Sequence, residues 1–198
     1  MKLTAVKPRP LFSLASVGTQ AGMLRYSSVP ISAPLTTLVP GGGATNAERG
    51  AHGDGRESDH EDEDASSARA MALVMFRHVL GFMGALSYPY PDALPDAILD
   101  QVGELVGSET RSRRRLGAAL RDELYVQLMK QLDGGAPVAQ AERAWRLLAL
   151  VLEKHPPSDG LENFVEFFLR GVGRADLILQ LHLSTAHAQM VRVVDLHE

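Results

Sequence analysis

The chain has no cysteine. That alone excludes a disulfide scaffold, a cysteine nucleophile and a thiolate metal site. Long apolar runs are missing too. The longest, Ala70–Phe76 and Leu147–Leu152, fall well short of the roughly 20 residues needed to span a bilayer. Residues 1–47 hold no acid, only the bases Lys2, Lys7, Arg9 and Arg25. Residues 40–68 hold no Val, Ile, Leu, Met, Phe, Tyr or Trp. A global basic field is absent as well: the net charge is −4, so nothing calls for nucleic acid. What is left is a chain of 198 residues, 45% hydrophobic and 22% charged, the composition of a soluble intracellular protein with one core.

The absences divide the chain. A segment without large apolar residues buries nothing, so it cannot offset the entropy lost on ordering. Residues 40–68 are therefore expected to be a disordered insertion, opened by Gly41-Gly42-Gly43 and nearly closed by Glu61-Asp62-Glu63-Asp64. Residues 1–23 read as a flexible leader. Their lack of acids fits a transit peptide, but arginine is sparse and no apolar face repeats.

From Arg69 onward the apolar residues recur at helical spacing. Leu73, Phe76, Leu80 and Met83 lie on one face, before Ser87-Tyr88-Pro89-Tyr90-Pro91 breaks the chain. Asp92 is placed to cap a second helix that buries Leu94, Ile98, Val102 and Leu105. In the third, Leu116, Leu120, Leu124, Leu128 and Leu132 recur every fourth residue, with Tyr125 and Met129 beside them. Gly134-Gly135 and Pro137 stop it. The fourth carries Ala141, Trp145, Leu148 and Leu152, widened by Leu147 and Val151, and ends at His155-Pro156-Pro157. Ser158 or Asp159 can cap the fifth, Asp159 and Glu162 having capping-box spacing. Its buried set is expected to be Leu161, Phe164, Val165 and Phe168. Residues 175–196 are apolar but less regular, and no stretch reads as a strand. Short links between amphipathic helices imply an all-α fold, a single antiparallel helical bundle.

Two strings in this pattern are distinctive: LRDELYVQLMKQL, from Leu120 to Leu132, and ERAWRLLALVLEKHPPSDGLENFVEFFL, from Glu142 to Leu169. Together they resemble the MyTH4 domain, the myosin-tail homology module of unconventional myosins and some kinesins. LRYSSVPISAPLTTL, from Leu24 to Leu38, resembles its opening segment, and MFRHVLGFMG, from Met75 to Gly84, its first long helix. The resemblance implies a helical domain over 24–195, interrupted by 40–68. It also implies a motor or FERM domain as a neighbour in the full-length protein.

Little points to chemistry. Gly41-Gly42-Gly43 lacks the Lys-Ser/Thr of a phosphate loop. His52, His60 and the acids between them have no fixed geometry, and His182 and His187, five apart, do not share a helical face. No Ser-His-Asp set is suggested by position. Asp122 and Glu123, adjacent on a helix, point about 100° apart and cannot share a proton. One is expected to pair with an arginine and the other to lock helix to helix. Trp145 and Phe164 are expected in the core with Leu120, Leu124, Tyr125, Leu128 and Leu148.

One surface feature fits a partner. Arg111, Arg114 and Arg115, with Arg121 near them, fall on the helix face opposite Leu116, Leu120 and Leu124. Arginines at a helix N-terminus oppose the macrodipole, which gives their presence there a cost. A solvated face in a chain where 16 of 20 bases are arginine is the bland alternative. No cofactor and no catalytic residue is expected. The resemblance implies a non-catalytic interaction module of cytoplasm and cytoskeleton that binds microtubules through acidic tubulin tails, or a cargo protein. The alternative is a scaffold in a signalling protein, such as one with a Rho GTPase-activating domain. Residues 54–64, with seven acids and one arginine, are read as a flexible tether able to compete for the arginine face.

Overall fold

The computed structural model describes residues 25–36 and 57–195, with side chains described outside 57–65 and 191–195. The leader expected over 1–23, and residues 40–56 of the expected insertion, lie outside the described residues. The described chain is all-α: α1 (Glu57–Met83), α2 (Leu94–Val106), α3 (Arg111–Gln131), α4 (Val138–Lys154), α5 (Asp159–Gly171) and α6 (Ala175–Asp195) form a helical bundle. No strand occurs among the described residues.

α1 begins at Glu57, well before the apolar repeat, so residues 57–68 are helical rather than part of a disordered insertion. The reason is charge. Six of the first eight residues of α1 are acids, and carboxylates favour the positive end of the helix dipole. Farther along, Ala72, Met75, Phe76, Val79, Leu80 and Met83 form the buried stripe, while Leu73 is only half-buried. Gly84, at φ +82°, ends the helix in the left-handed conformation that glycine alone adopts cheaply. The amides of Ala85 and Leu86 then return to the Leu80 carbonyl.

α1 touches α2, α3 and α4, and α6 packs on α4 and α5. α2 buries Leu94, Ile98, Leu99, Val102 and Leu105. Asp92 does not cap it. Pro91–Ala93 form a 3-10 turn, the N-cap is Ala93, and Asp92 instead takes the Arg143 guanidinium at 2.5 Å. Arg143 also donates to the Phe82 carbonyl and lies 4.6 Å over the Phe82 ring, tying α4 to the end of α1. α3 crosses α2 at Gly117, where a Cβ would stand 2.6 Å from the Val106 amide nitrogen. Only glycine allows backbone contact that close.

The four leucines of α3 and its C-cap Leu132 are all buried, as is Tyr125, whose hydroxyl donates to the His155 carbonyl at 2.9 Å. Burying each such side chain is worth about 1.5–3 kcal/mol. On α4 the core residues are Ala144, Leu147, Leu148, Val151 and Leu152. Trp145 is half-buried and not at the centre of the α3–α4 contact. Its ring stacks on Phe168 at 6.1 Å and is covered on the outside by Arg174 at 4.6 Å. α5 buries Leu161, Val165 and Leu169, with Phe164 and Phe168 half-buried, because the helix turns a narrower edge to the core than its wide aromatic stripe suggested. α6 buries Leu177 and Leu181, and its Gln180 amide donates to the Ala149 carbonyl at 2.9 Å.

Candidate partner-binding surface

The polar side chains that build the surface around α3 fall into an outer and an inner set. Arg111, Arg113, Arg114 and Arg115 are exposed in the first turn of α3. That turn has no acidic residue, and the N-cap Thr110 makes no side-chain capping bond. Among the described residues none of these four guanidinium groups is ion-paired. Four like charges thus stand beside the positive end of a helix dipole, so a complementary anion is favoured there.

Arg121 does not join them. Its side chain is 10% exposed and its Nε lies 3.3 Å from Asp122 Oδ1. It lies on the angular face of Arg114, but the chain leaving α4 crosses α3 there, bringing His155 onto Tyr125. The positive charge of Arg121 is felt by both: it lowers the Tyr125 pKa against the larger rise caused by burial, and adds to the burial that lowers the His155 pKa. The acidic tether expected at 54–64 is also revised, since residues 57–64 belong to α1.

The inner set is made by Asp122 and Glu123. Asp122, besides pairing with Arg121, accepts from the Ser158 amide at 3.2 Å and the Ser158 hydroxyl at 2.5 Å. It therefore supplies both the arginine pair and the inter-helix lock, fixing α3 to the N-cap of α5. Ser158 makes no cap bond to its own helix, and Glu162 accepts from Thr185 at 3.0 Å in place of a capping box.

Glu123, wholly buried, has a role that spacing did not suggest. It accepts the Leu35 amide at 2.9 Å, the Thr36 amide at 2.7 Å and the Thr36 hydroxyl at 2.6 Å, and Gln127 Nε2 at 2.9 Å. Residues 25–36 are thus an extended strap along α3. Its other end is held by Lys130 Nζ on the Arg25 carbonyl at 2.5 Å and by the Tyr26 hydroxyl on Gln140 Oε1 at 2.6 Å.

A shallow hollow of about 300 Å³ is lined by Leu99, Asp100, Gly103, Glu104, Lys154 and His155. Its imidazole is spent on the Leu99 carbonyl, 2.9 Å from Nε2, and burial holds its pKa below 6.5. Among the described residues no group of His, Asp and Glu side chains is arranged to hold a metal. His182 pairs with Glu166 at 3.3 Å. No helix among the described residues is long and apolar enough to cross a membrane.

The outer face of α6 was not anticipated. Leu179, Leu183 and Met190 are 63%, 64% and 70% exposed, and their spacing puts them on one helical face. The signal was present as a second apolar repeat, offset from Leu177 and Leu181.

Comparison with known proteins shows what part of the chain is similar to. Residues 115–194 match the model of the MyTH4 domain. The match runs from Arg115, the last of the four arginines, through nearly all of α6. The chain is 28% identical over 184 residues, 91% of its length, to the high molecular weight form of myosin-1 of Acanthamoeba castellanii. It is 33% identical over 87 residues, 37% of its length, to unconventional myosin heavy chain 6 of Caenorhabditis elegans. It spans 9% and 4% of the lengths of these two relatives. Over residues 115–194 the chain is thus similar to the MyTH4 domain, the family that the α3 and α4 strings resemble.

Proposed function

We propose that this chain is a non-catalytic interaction module of a cytoskeletal motor tail, acting in the cytoplasm, and that its arginine turn takes acidic tubulin tails on the microtubule surface. Residues 24–195 form the module, and a motor or FERM domain stands beside it in the full-length protein. The observation that carries the reading is the placement of Arg111, Arg113, Arg114 and Arg115, exposed and without an ion pair among the described residues. The myosins that share its sequence supply the cytoskeletal context. An unordered acidic polymer needs no shaped pocket. It needs a compact cationic face, and its attraction is screened over about 8 Å at physiological salt.

The test is co-sedimentation with microtubules. The wild-type chain sediments with them at low salt and progressively less as salt rises. The variant Arg111→Glu/Arg114→Glu/Arg115→Glu stays in the supernatant. If it sediments like the wild type, the face is only solvated.

A further inference from the structure

We infer that Ser112 is a phosphorylation site through which a basic-directed serine/threonine kinase switches the arginine face off. The inference rests on the reading of that face as a binding surface. Ser112 is exposed and is the second residue of α3. Arg111 precedes it and Arg113, Arg114 and Arg115 follow it without interruption. A kinase whose acidic pockets take the residue before the serine and the three after it finds an arginine at each, with Thr110 and Glu109 farther upstream. The N-cap Thr110 makes no side-chain capping bond in this turn.

The chemistry is simple phosphoryl transfer from ATP, supplied with the kinase. The Ser112 Oγ attacks the γ-phosphorus. An Oγ–P bond forms as the bond to the β,γ-bridging oxygen breaks, and ADP leaves with that electron pair. The hydroxyl proton passes to the kinase's base. The product adds a charge of about −1.5 to −2 at neutral pH. That is close to half the charge of four arginines, and it is added among them. Arg115, three residues on, lies on the same side of the helix and is placed to pair with the phosphate.

The same placement has a structural consequence. Phosphate near a helix N-terminus is favoured by the dipole, and here it also relieves the crowding of like charge. Modification therefore weakens binding while it stabilises the fold. A modification that merely damaged the surface would not combine the two.

The experiment treats the full chain with a purified kinase of this specificity and Mg-ATP, alongside Ser112→Ala. Mass spectrometry places the phosphate on Ser112 in the wild type, and Ser112→Ala lacks it. The phosphorylated chain binds microtubules on the order of tenfold more weakly at low salt, about half of the surface charge being offset. Its thermal midpoint rises by roughly 1–4 °C, a shift read without microtubules. Equal phosphate uptake by Ser112→Ala overturns the site and leaves the arginine face untouched. Phosphate on Ser112 without a change in binding overturns the switch, provided the triple glutamate variant has lost binding. If that variant binds like the wild type, the function reading itself has failed and the switch falls with it.

Discussion

Thr36 gives both its backbone amide and its hydroxyl to one oxygen of Glu123, at 2.7 and 2.6 Å. The second oxygen takes the Leu35 amide and the Gln127 side chain. One carboxylate buried on α3 thereby holds a strap with no regular secondary structure of its own. Glu123→Ala leaves several buried donors without an acceptor, so the variant should lose about 3 kcal/mol or more in urea unfolding. Thr36→Val removes only the hydroxyl bond and should cost about 1–2 kcal/mol. Amide exchange at Leu35 and Thr36 should rise sharply in Glu123→Ala. Unchanged exchange there would show that the strap is held by its Tyr26 end instead.

How far this arrangement was legible in sequence depends on what carries each contact. α3 was clear because its core contacts are leucine side chains at a fixed spacing. Glu123 was not, because three of its four donors come from Leu35 and Thr36, two of them backbone amides, and an amide belongs to every residue except proline. α6 blurred because Leu179 and Leu183 repeat on its outer face as Leu177 and Leu181 do on its inner one. The start of α1 was missed because apolar content signals packing, whereas its acids favour a helix end. Arg121 was misplaced because helical angle alone cannot tell that another segment crosses two turns along. The family strings fared best, since Asp122, Glu123, Tyr125 and Gln127 each make a specific bond that the fold requires.

Two glycines on helices give a paired test of packing. Gly117→Ala places a Cβ against the α2 backbone, 2.6 Å from the Val106 nitrogen and 2.7 Å from the Leu105 carbonyl carbon. Neither atom can rotate away, so the substitution should cost about 1–3 kcal/mol despite a gain in helix propensity. Gly171→Ala meets nothing within 4 Å and should be neutral or stabilising by up to about 1 kcal/mol. Chemical denaturation of both variants checks the contrast. Equal stabilities would mean that α2 and α3 slide apart without penalty.

Trp145 is the only tryptophan, so its fluorescence reports on one place. It lies between Phe168 of α5 and Arg174, just before α6. A half-buried ring covered by a guanidinium should cost about 1–3 kcal/mol when truncated to alanine, less than a central core aromatic. Arg174→Ala should red-shift the emission by admitting water to the ring face while leaving the bundle folded. No spectral change would place the Arg174 guanidinium away from the ring in solution.

Mild acidification should destabilise the fold through two half-buried imidazoles. Burial lowers the pKa values of His155 and His78 below 6.5 in the folded chain. The unfolded chain then binds more protons in the interval between the folded values and about 6.5, so stability falls as pH falls through that interval and is fully present above it. Carboxylates shifted downward act at lower pH: Asp176, paired with Arg174, is held at about 2, and Glu166 lies below 4.5. The interval from about pH 7.5 to about 5.5 lies above the range of these two carboxylates and spans the ordinary histidine value. The thermal midpoint should drop over that range. His155→Gln, whose amide can still donate to the Leu99 carbonyl, should drop less, and His78→Gln/His155→Gln less again. If the double variant loses as much as the wild type, other groups carry the dependence and neither imidazole is kept neutral by the fold.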